Sequence, residues 1–260
     1  MPKIDWNTAQ GSAAWMRARL GIPTASAFDE VMTPKTMKMS ESRWKYACCL
    51  IAGRLLNWQA DSLDKIAHIQ AGRDNEPLAV ARLEILHDIE TRPVGFIKTD
   101  DGRFGASPDR VVMNGDAVAI TVECKCPTIP VQFQYLLLGH DASYRCQVQG
   151  QLWVAEAEKA IFQAFNPHTP DYTVDTPRDE EFIRNLRNSL EQFSDELEAL
   201  DAKARSLGVY QAFAELATPL EAEYVDEVDG GAAAKIVIDA AAKATGAPPD
   251  ELDQIMGWDK

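Results

Sequence analysis

Residues 118–125 read Val-Ala-Ile-Thr-Val-Glu-Cys-Lys, an apolar run that ends in charged side chains. The run has the period of two that a β-strand requires, so Glu123 and Lys125 should project from the same face as Thr121. Just before it, Asn114-Gly115-Asp116 is a strong hairpin turn. A carboxylate and an ammonium group on one buried strand are costly to desolvate unless they are paired or bind a metal. The stretch therefore predicts a sheet strand that carries a functional site.

A second acidic residue precedes this strand, in Ser107-Pro108-Asp109. If Asp109 and Glu123 converge, their oxygens can hold Mg²⁺ while waters and a substrate phosphate complete its octahedron. Lys125 would then supply a cation beside the attacking water. This pattern is typical of one large class of metal-dependent nucleases. A surface strand with an ordinary Glu/Lys pair is the alternative that the pattern alone leaves open.

The rest of the chain predicts groups of helices and strands that form an α-β-α core. Helices are expected over 12–19, 24–32, 40–55, 68–87, 130–138, 142–155 and 176–206, and strands over 94–98, 104–108, 110–113, 118–124, 160–164 and 172–174. Because Pro77 directly follows Glu76, the helix over 68–87 should kink or restart there.

Composition is that of an ordinary globular protein. The 260 residues are 46% hydrophobic and 25% charged, and they suffice for a full α/β core. No apolar run reaches the roughly 18 residues of a membrane helix, and the N-terminal residues lack a signal peptide's apolar region. We therefore expect a protein of the cytoplasm, in a bacterium or an infected host cell, without a membrane partner.

The five cysteines do not form the paired pattern of a disulfide framework. Cys48 and Cys49 lie in an amphipathic helical run, where core packing is the simplest interpretation. A zinc site built from Cys124, Cys126 and Cys146 is a weak alternative, because the two-plus-two spacing of such sites is missing.

The net charge of −14 is concentrated toward the C-terminus. Residues 178–260 carry 8 basic and 19 acidic side chains, a net of −11, so residues 1–177, with 18 basic and 21 acidic, carry only −3. Affinity for nucleic acid depends on Lys and Arg that neutralise phosphates. An acidic exterior discourages non-specific wrapping of DNA, but a local basic channel could still guide a DNA end.

Five ordered sequence blocks resemble the phage lambda-type alkaline exonuclease family, a viral recombinase family of the PD-(D/E)XK nuclease superfamily. The blocks are Gly11–Ser26, Gly72–Glu76, Gly105–Asp109, Glu123–Pro127 and Gln147–Trp153, and Met37–Ser40 matches a further segment. The first block contains the family's Trp-X-X-X-Arg-Leu-Gly-X-X-Thr-Ala-Ser pattern. The resemblance covers roughly the first 200 residues and fades afterwards.

The resemblance implies the fold and the domain organisation. It implies an α/β fold with a central mixed β-sheet flanked by helices, in a restriction-endonuclease-like core. We accordingly predict an exonuclease domain over residues 1–210. Residues 211–260, which contain Gly230-Gly231 and an Ala-rich run, are predicted to form a helical C-terminal extension.

The resemblance also assigns catalytic roles. Asp109 and Glu123, with the backbone carbonyl of Cys124, match the family's Mg²⁺ ligands, and Mn²⁺ is a possible substitute. Lys125 matches the residue that orients or deprotonates the attacking water. The remaining matches are Glu76, for a second ion or the water, and Gln147, which would hold the water or a phosphate. Without the resemblance, Glu76 would be an ordinary solvated helix residue and Gln147 an ordinary surface residue.

Other matches concern DNA binding. Arg19 and Ser26 match residues that grip the terminal 5′-phosphate, and a guanidinium fork suits phosphate oxygens. Ser107 is a further hydroxyl donor, although a turn before Pro108 explains it almost as well. Lys35 stands where an Arg is expected, which puts a bidentate contact in doubt. Ile69 falls where the family places an apolar wedge between base pairs, although core packing explains it at least as well.

The implied activity is digestion of one strand of duplex DNA from its 5′ end. It releases mononucleotides and leaves a 3′ single-stranded tail for recombination by strand annealing. The implied partners are double-stranded DNA ends, two further copies in a homotrimer ring, and a single-strand annealing protein. The alternatives are an endonuclease or repair nuclease on the same core, and a non-catalytic DNA-binding protein.

Overall fold

The computed structural model describes residues 1–57, 67–139 and 144–207, with the backbone alone for residues 67–73. Its contacts divide the chain into a compact unit, Met1–Ala202, and a second unit, Lys203–Lys260, most of which lies outside the described residues. The predicted extension over 211–260 also lies outside them, so the boundary after residue 210 stays a prediction.

Helices and strands follow one another in groups along the chain, largely in the predicted order. The helices are α1 (Ala13–Arg19), α2 (Arg43–Leu56), α3 (Ala67–His87), α4 (Ile129–Leu138), α5 (Tyr144–Ala155) and α6 (Glu180–Ser206), with a 3-10 helix at Ala25–Glu30. The strands are β1 (Lys3–Asp5), β2 (Arg92–Pro93), β3 (Phe96–Lys98), β4 (Gly105–Ala106), β5 (Arg110–Asn114), β6 (Ala117–Lys125), β7 (Lys159–Ala164) and β8 (Tyr172–Pro177).

The central sheet has five strands in the order β2-β5-β6-β7-β8. The β6–β7 pair is parallel and the other pairs are antiparallel. Helices α3 and α5 both contact β6, and a small antiparallel sheet of β1, β3 and β4 stands beside this core. The predicted α/β class, with a mixed sheet flanked by helices, is confirmed.

Strand β6 has nine residues and lies at the centre of this sheet. It is the second arm of the predicted hairpin, in which Asn114 pairs with Ala117 across a turn where Gly115 has φ 61°. Such a positive φ is easily adopted by glycine. One face of the strand packs Val122 with Leu83 of α3, and the opposite face directs Glu123 toward α5.

Helix α6 closes the core with one apolar stripe. Its buried residues recur every three or four positions, the period of a helix face. They are Phe182, Ile183, Leu186, Leu190, Phe193 and Leu197. The helix begins after Asp179, whose Oδ1 accepts a hydrogen bond from the Phe182 N–H at 3.0 Å, so Asp179 acts as the N-cap.

Helix α5 lies unusually close to the 3-10 helix Ala25–Glu30. A Cβ atom on Gly150 would stand 2.5 Å from a ring carbon of Phe28, so only glycine permits this approach. The Phe28 ring also contacts Phe104 and Trp153, with ring centroids 6.5 and 6.2 Å away. Trp153 is partly buried and packs against the main core.

The structure departs from the sequence-based expectations at three points. Helix α3 runs through Pro77 without a restart, because Leu83 and Ala79 are buried in the core and tertiary packing outweighs the lost backbone hydrogen bond; the alternative, a kink at Pro77, stays a prediction. Cys48 is exposed rather than packed in the core, because it falls on the outer face of α2. The short strand β1 was not predicted, since three residues carry too little pattern.

Two absences can be stated for the described ranges. Among residues 1–57, 67–139 and 144–207, no helix is both long and apolar enough to cross a membrane. All five cysteines are free thiols, which agrees with the expectation that no disulfide framework exists.

Candidate active site

Asp109 is held against the central strand by a backbone hydrogen bond. It directly precedes β5, whose Arg110 pairs with Val122 of β6. The Cys124 backbone N–H donates to Asp109 Oδ2 at 2.7 Å. Asp109 is thereby fixed close enough to Glu123 for the two charges to interact. The structure brings together the two carboxylates that the sequence picks out.

Glu123 is the acceptor at the centre of the site. Its side chain is buried, and its Oε1 accepts from Lys125 Nζ at 2.5 Å and from Gln147 Nε2 at 2.6 Å. Its Oε2 accepts from Gln151 Nε2 at 2.6 Å. The structure thus groups Glu123, Lys125 and Gln147 as predicted. Gln151 was not among the predicted residues, although its spacing of four from Gln147 places both on one face of α5.

Burial and neighbouring charges shift the pKa values of Asp109 and Lys125. Burial is the largest cause that raises the pKa of Asp109, and the charge of Glu123 raises it further, while Lys125 opposes both. Burial would lower the pKa of Lys125, but the neighbouring carboxylates Glu123 and Asp109 outweigh burial and raise it. Two carboxylates therefore share one ammonium group, which leaves an excess of negative charge that a cation would neutralise.

Asp109→Asn is expected to stabilise the protein at pH 8 in the presence of a chelator. The pKa of Asp109 is higher in the folded protein than its ordinary 3.8, so wild-type stability falls as the pH rises through the folded pKa. Asparagine stays neutral and can still accept the Cys124 hydrogen bond. Each kcal/mol of relieved repulsion should raise the Tm by about 2–4 °C, and the difference should shrink as the pH approaches 4.

A matched control is Asp116→Asn, which removes one carboxylate from the exposed hairpin turn between β5 and β6. It should leave the Tm nearly unchanged at either pH. Thermal unfolding measured in chelator at pH 4 and pH 8 checks the prediction. Equal Tm values for wild type and Asp109→Asn at pH 8 would contradict the repulsion between the Asp109 and Glu123 carboxylates.

A groove with a volume of about 580 Å³ lies beside Asp109. Glu76 of α3 lines it together with Asp109, and the charge of Glu76 contributes to the raised pKa of Asp109 as the smallest of its causes. The predicted proximity of Glu76 to the carboxylates is therefore observed, from within a continuous helix. Gln10 supports this region, because its Nε2 donates to the carbonyls of Val94 at 2.9 Å and Pro108 at 2.8 Å.

The donor set suits a hard divalent cation better than zinc. Asp109 and Glu123 offer oxygen ligands, which Mg²⁺ prefers. Within the described ranges, no group of three or more His, Cys, Asp or Glu side chains is arranged to hold a metal ion. Burial raises the pKa of the Cys124 thiol, and it raises that of Cys126 to about 11, which disfavours the thiolate that zinc would need. A bound Mg²⁺ would take its other ligands from backbone, water or substrate.

A second polar cluster surrounds Arg19 at the end of α1. The guanidinium Nη2 donates to Ser26 Oγ at 3.2 Å and to Thr24 Oγ1 at 3.4 Å. The guanidinium carbon of Arg19, Cζ, lies 4.1 Å from the ring centroid of Trp15. The Trp15 ring in turn donates from Nε1 to Ser107 Oγ at 3.1 Å. The structure therefore joins Arg19, Ser26 and Ser107, the predicted phosphate-binding residues, and adds Thr24 and Trp15 to them.

The Trp15 ring is not part of the core. The ring is partly exposed and no residue of α1 is buried. Trp15 instead forms a platform beneath Arg19, and its Nε1 also donates to the Gly95 carbonyl at 2.9 Å. A tryptophan followed four residues later by an arginine on a helix could have predicted this stack.

The Arg19 cluster is close to the carboxylate site. Burial lowers the pKa of Arg19, and the charge of Glu123 opposes that shift, so the two groups interact electrostatically. Ser107 precedes Asp109 by two residues. The Thr24 backbone N–H donates to the Tyr46 hydroxyl at 3.1 Å, which fixes the start of the 3-10 helix. Through Trp15 and Ser107, the Arg19 cluster is connected to the segment that carries Asp109.

Two predicted DNA-binding residues are not joined to these clusters. Lys35 is exposed in the turn between Met32 and Met39, which pair as an isolated bridge. Ile69 belongs to helix α3, but its side chain lies outside the described residues. Their predicted contacts stay predictions.

The sequence profile of the YqaJ-like viral recombinase domain matches residues 14–158, more than half of the chain. The chain belongs to this viral recombinase family. The matched range contains every residue of the carboxylate site and of the Arg19 cluster. The predicted relationship to the lambda-type exonucleases is thereby confirmed at the level of the family.

Solved structures agree with membership in the viral recombinase family. The chain is similar to the alkaline exonuclease LHK-Exo from Laribacter hongkongensis, with 28% identity, a TM-score of 0.67, and coverage of 79% of this chain and 100% of that one. LHK-Exo in complex with dAMP matches equally well, at 29% identity. The predicted restriction-endonuclease-like core is confirmed by this likeness.

A more distant match supports the fold alone. A phage-related exonuclease from Haemophilus somnus 129PT aligns at 15% identity with a TM-score of 0.53, over 70% of this chain and 96% of that one. A search of curated proteins finds none that matches the chain.

Proposed function

We propose that this protein is a divalent-metal-dependent exonuclease that digests one strand of duplex DNA from its 5′ end. It would release mononucleotides and leave a 3′ single-stranded tail for recombination by strand annealing. Membership in the viral recombinase family and the likeness to LHK-Exo support a nuclease that acts on DNA. The complex of LHK-Exo with dAMP supports a nucleotide as the product.

The observation that carries this proposal is the position of an anion anchor next to a carboxylate site. Arg19, Ser26 and Thr24 present a guanidinium and two hydroxyls, the donors that a terminal phosphate requires. Arg19 stacks on Trp15, which donates to Ser107 two residues before Asp109, and this link supports an anchor near the carboxylates. An enzyme that cuts internal bonds has no need of such an anchor, so its presence favours action at an end.

The carboxylate site would hold the metal. Asp109 and Glu123, together with the Cys124 carbonyl, are the proposed ligands of Mg²⁺, which Mn²⁺ could replace. When bound, such an ion lowers the pKa of water and stabilises charge on the phosphoryl oxygens. Asp109 and Glu123 are suited to this because their mutual repulsion is relieved by a cation.

The other residues act on the water and the phosphate. Lys125 stays protonated beside Glu123 and Asp109, so we assign it the role of a donor that orients the attacking water. Gln147, half-buried on α5, can turn its amide toward the water or a phosphate oxygen. Glu76, which lines the groove together with Asp109, is the candidate for a second ion or for the water.

The expected behaviour is strict dependence on a DNA end. With Mg²⁺, linear duplex labelled at either end of each strand should lose the 5′-terminal nucleotides first, and covalently closed circular duplex should stay intact. A chelator should stop the reaction. Nicked circles are the matched control, because they offer a 5′ end within a duplex that is still circular. Cleavage of closed circles at a rate comparable to linear duplex would instead indicate an endonuclease on the same core.

We also propose a homotrimer ring and a single-strand annealing protein as partners, together with double-stranded DNA ends. Exposed apolar residues on α4 support a contact with another subunit, because soluble monomers rarely expose such patches. Leu138 is 81% exposed, Leu137 77% and Phe133 47%. Sedimentation of the purified protein measures the number of copies in the assembly.

A further inference from the structure

Three hydrogen bonds leave Glu123 with one free acceptor direction. An ionised carboxylate has about four lone-pair directions, two on each oxygen. Among residues 1–57, 67–139 and 144–207, Lys125 and Gln147 occupy both directions on Oε1, whereas Gln151 alone donates to Oε2. The direction that remains for a metal therefore belongs to Oε2, the oxygen that Gln151 holds.

We propose that Gln151 is a positioning residue that directs Oε2 of Glu123 toward the metal. This inference rests on the proposed function, because it takes Glu123 as a metal ligand. The 2.6 Å hydrogen bond fixes the rotation of the carboxylate, and with it the orientation of the free direction of Oε2. Gln151 itself would touch neither the metal nor the DNA.

Packing alone does not explain an amide at this position. Gln151 is 1% exposed, and its Oε1 has no hydrogen-bond partner within the described part of the chain. A buried polar atom without a partner costs about 1–3 kcal/mol, so an apolar side chain of the same length would suit the core better. The carboxylate accepts only, which requires the NH₂ group of Gln151 to face it. Glu123 is thus the feature that accounts for the amide.

The side-chain amides of Gln147 and Gln151, both on α5, have different roles. Gln147 is half-buried and shares Oε1 of Glu123 with Lys125. Its amide can therefore leave Glu123 and hydrogen-bond to a water or a phosphate instead. Gln151 stands one turn further along α5, where Gly150 brings the helix against Phe28. It cannot reach the substrate from this depth, and its effect passes through the carboxylate alone.

The test compares Gln151→Met with Gln149→Met in the full-length protein. Methionine keeps the length of glutamine and removes the amide. Gln149 is a matched control, because it is buried on the same helix, yet it bonds to the Pro177 carbonyl and the Asp179 N–H, both at 2.9 Å, away from Glu123. Thermal unfolding is recorded against Mg²⁺ concentration without DNA, and bound Mn²⁺ is counted by electron paramagnetic resonance.

Gln151→Met should require about 10–100-fold more Mg²⁺ for half of the maximal thermal shift, the usual effect of removing a residue that supports a metal ligand. Gln149→Met should unfold earlier but keep the wild-type Mg²⁺ midpoint. If Gln151→Met does not fold, Gln151→Leu, which is smaller and also lacks the donor, serves in its place.

Two results would overturn the inference, and they differ. A lower Tm with an unchanged Mg²⁺ midpoint and unchanged Mn²⁺ binding in the Gln151 variant would show a purely structural amide, with the proposed function intact. No thermal shift and no bound Mn²⁺ in the wild-type protein would remove the metal site itself, and with it both the inference and the proposed function.

Discussion

Glu123→Gln is expected to reduce the rate of duplex digestion by about a thousandfold or more, a loss of roughly 4 kcal/mol of transition-state stabilisation. The exchange keeps the shape of the side chain but removes the charge on which Lys125, Gln147 and Gln151 converge. Asp109→Asn and Lys125→Met should cause comparable losses, since each removes a proposed metal ligand or the donor to the water. Single-turnover digestion of end-labelled duplex at saturating Mg²⁺ measures the chemical step.

The control for this series is Glu158→Gln. Glu158 is exposed next to Ala119, at the start of β6 and far along that strand from Glu123. The Glu158→Gln variant should digest duplex at the wild-type rate. A near-wild-type rate for any of the three site variants, with the fold verified by circular dichroism, would show that the site is assigned wrongly.

Arg19→Lys is expected to remove the preference for 5′-phosphorylated over 5′-hydroxyl ends. Lysine keeps the charge but loses the planar fork that donates to Ser26 and Thr24 and that stacks on Trp15. Charge-assisted hydrogen bonds contribute about 1.5–3 kcal/mol, so initiation on phosphorylated ends should slow by about 10–100-fold. Initiation on hydroxyl ends should change little, because that substrate never uses the fork.

Arg17→Lys is the matched control, since Arg17 is an exposed arginine of the same helix. Its end preference should equal that of the wild-type protein. Initial rates on two otherwise identical duplexes, one phosphorylated and one not, give the ratio for each variant. An unchanged ratio in Arg19→Lys would exclude the anchoring role.

The local sequence pattern was enough to predict the central strand and the charged side chains on one of its faces. The alternation in β6 and the turn at Gly115 fix the hairpin, and a period of two puts Glu123 and Lys125 on one face. These are properties of adjacent residues, so the sequence contains them without reference to the rest of the molecule. The helices over α2, α3 and α6 were predictable for the same reason, through their apolar spacing.

Contacts between distant segments were not predictable in this way. The Trp15–Ser107 hydrogen bond joins residues 92 positions apart, and the Gln151–Glu123 bond joins residues 28 apart. The spacing of Trp15 and Arg19 is local, but the Ser107 partner of the Trp15 ring comes from a distant segment. The continuous path of α3 through Pro77 likewise depends on packing by Leu83, which is a tertiary effect.

The close approach at Gly150 bears on the size of the fragment that the enzyme would cut off. The 3-10 helix on one side of this contact follows Thr24 and contains Ser26, and α5 on the other side carries Gln147 and Gln151. Under the proposed roles, one side holds the end of the strand and the other holds the carboxylate that directs hydrolysis. The close contact of Phe28 with Gly150 then fixes the distance between these two sides. Fragment length would be a property of core packing, and it should stay the same whatever the base composition of the DNA.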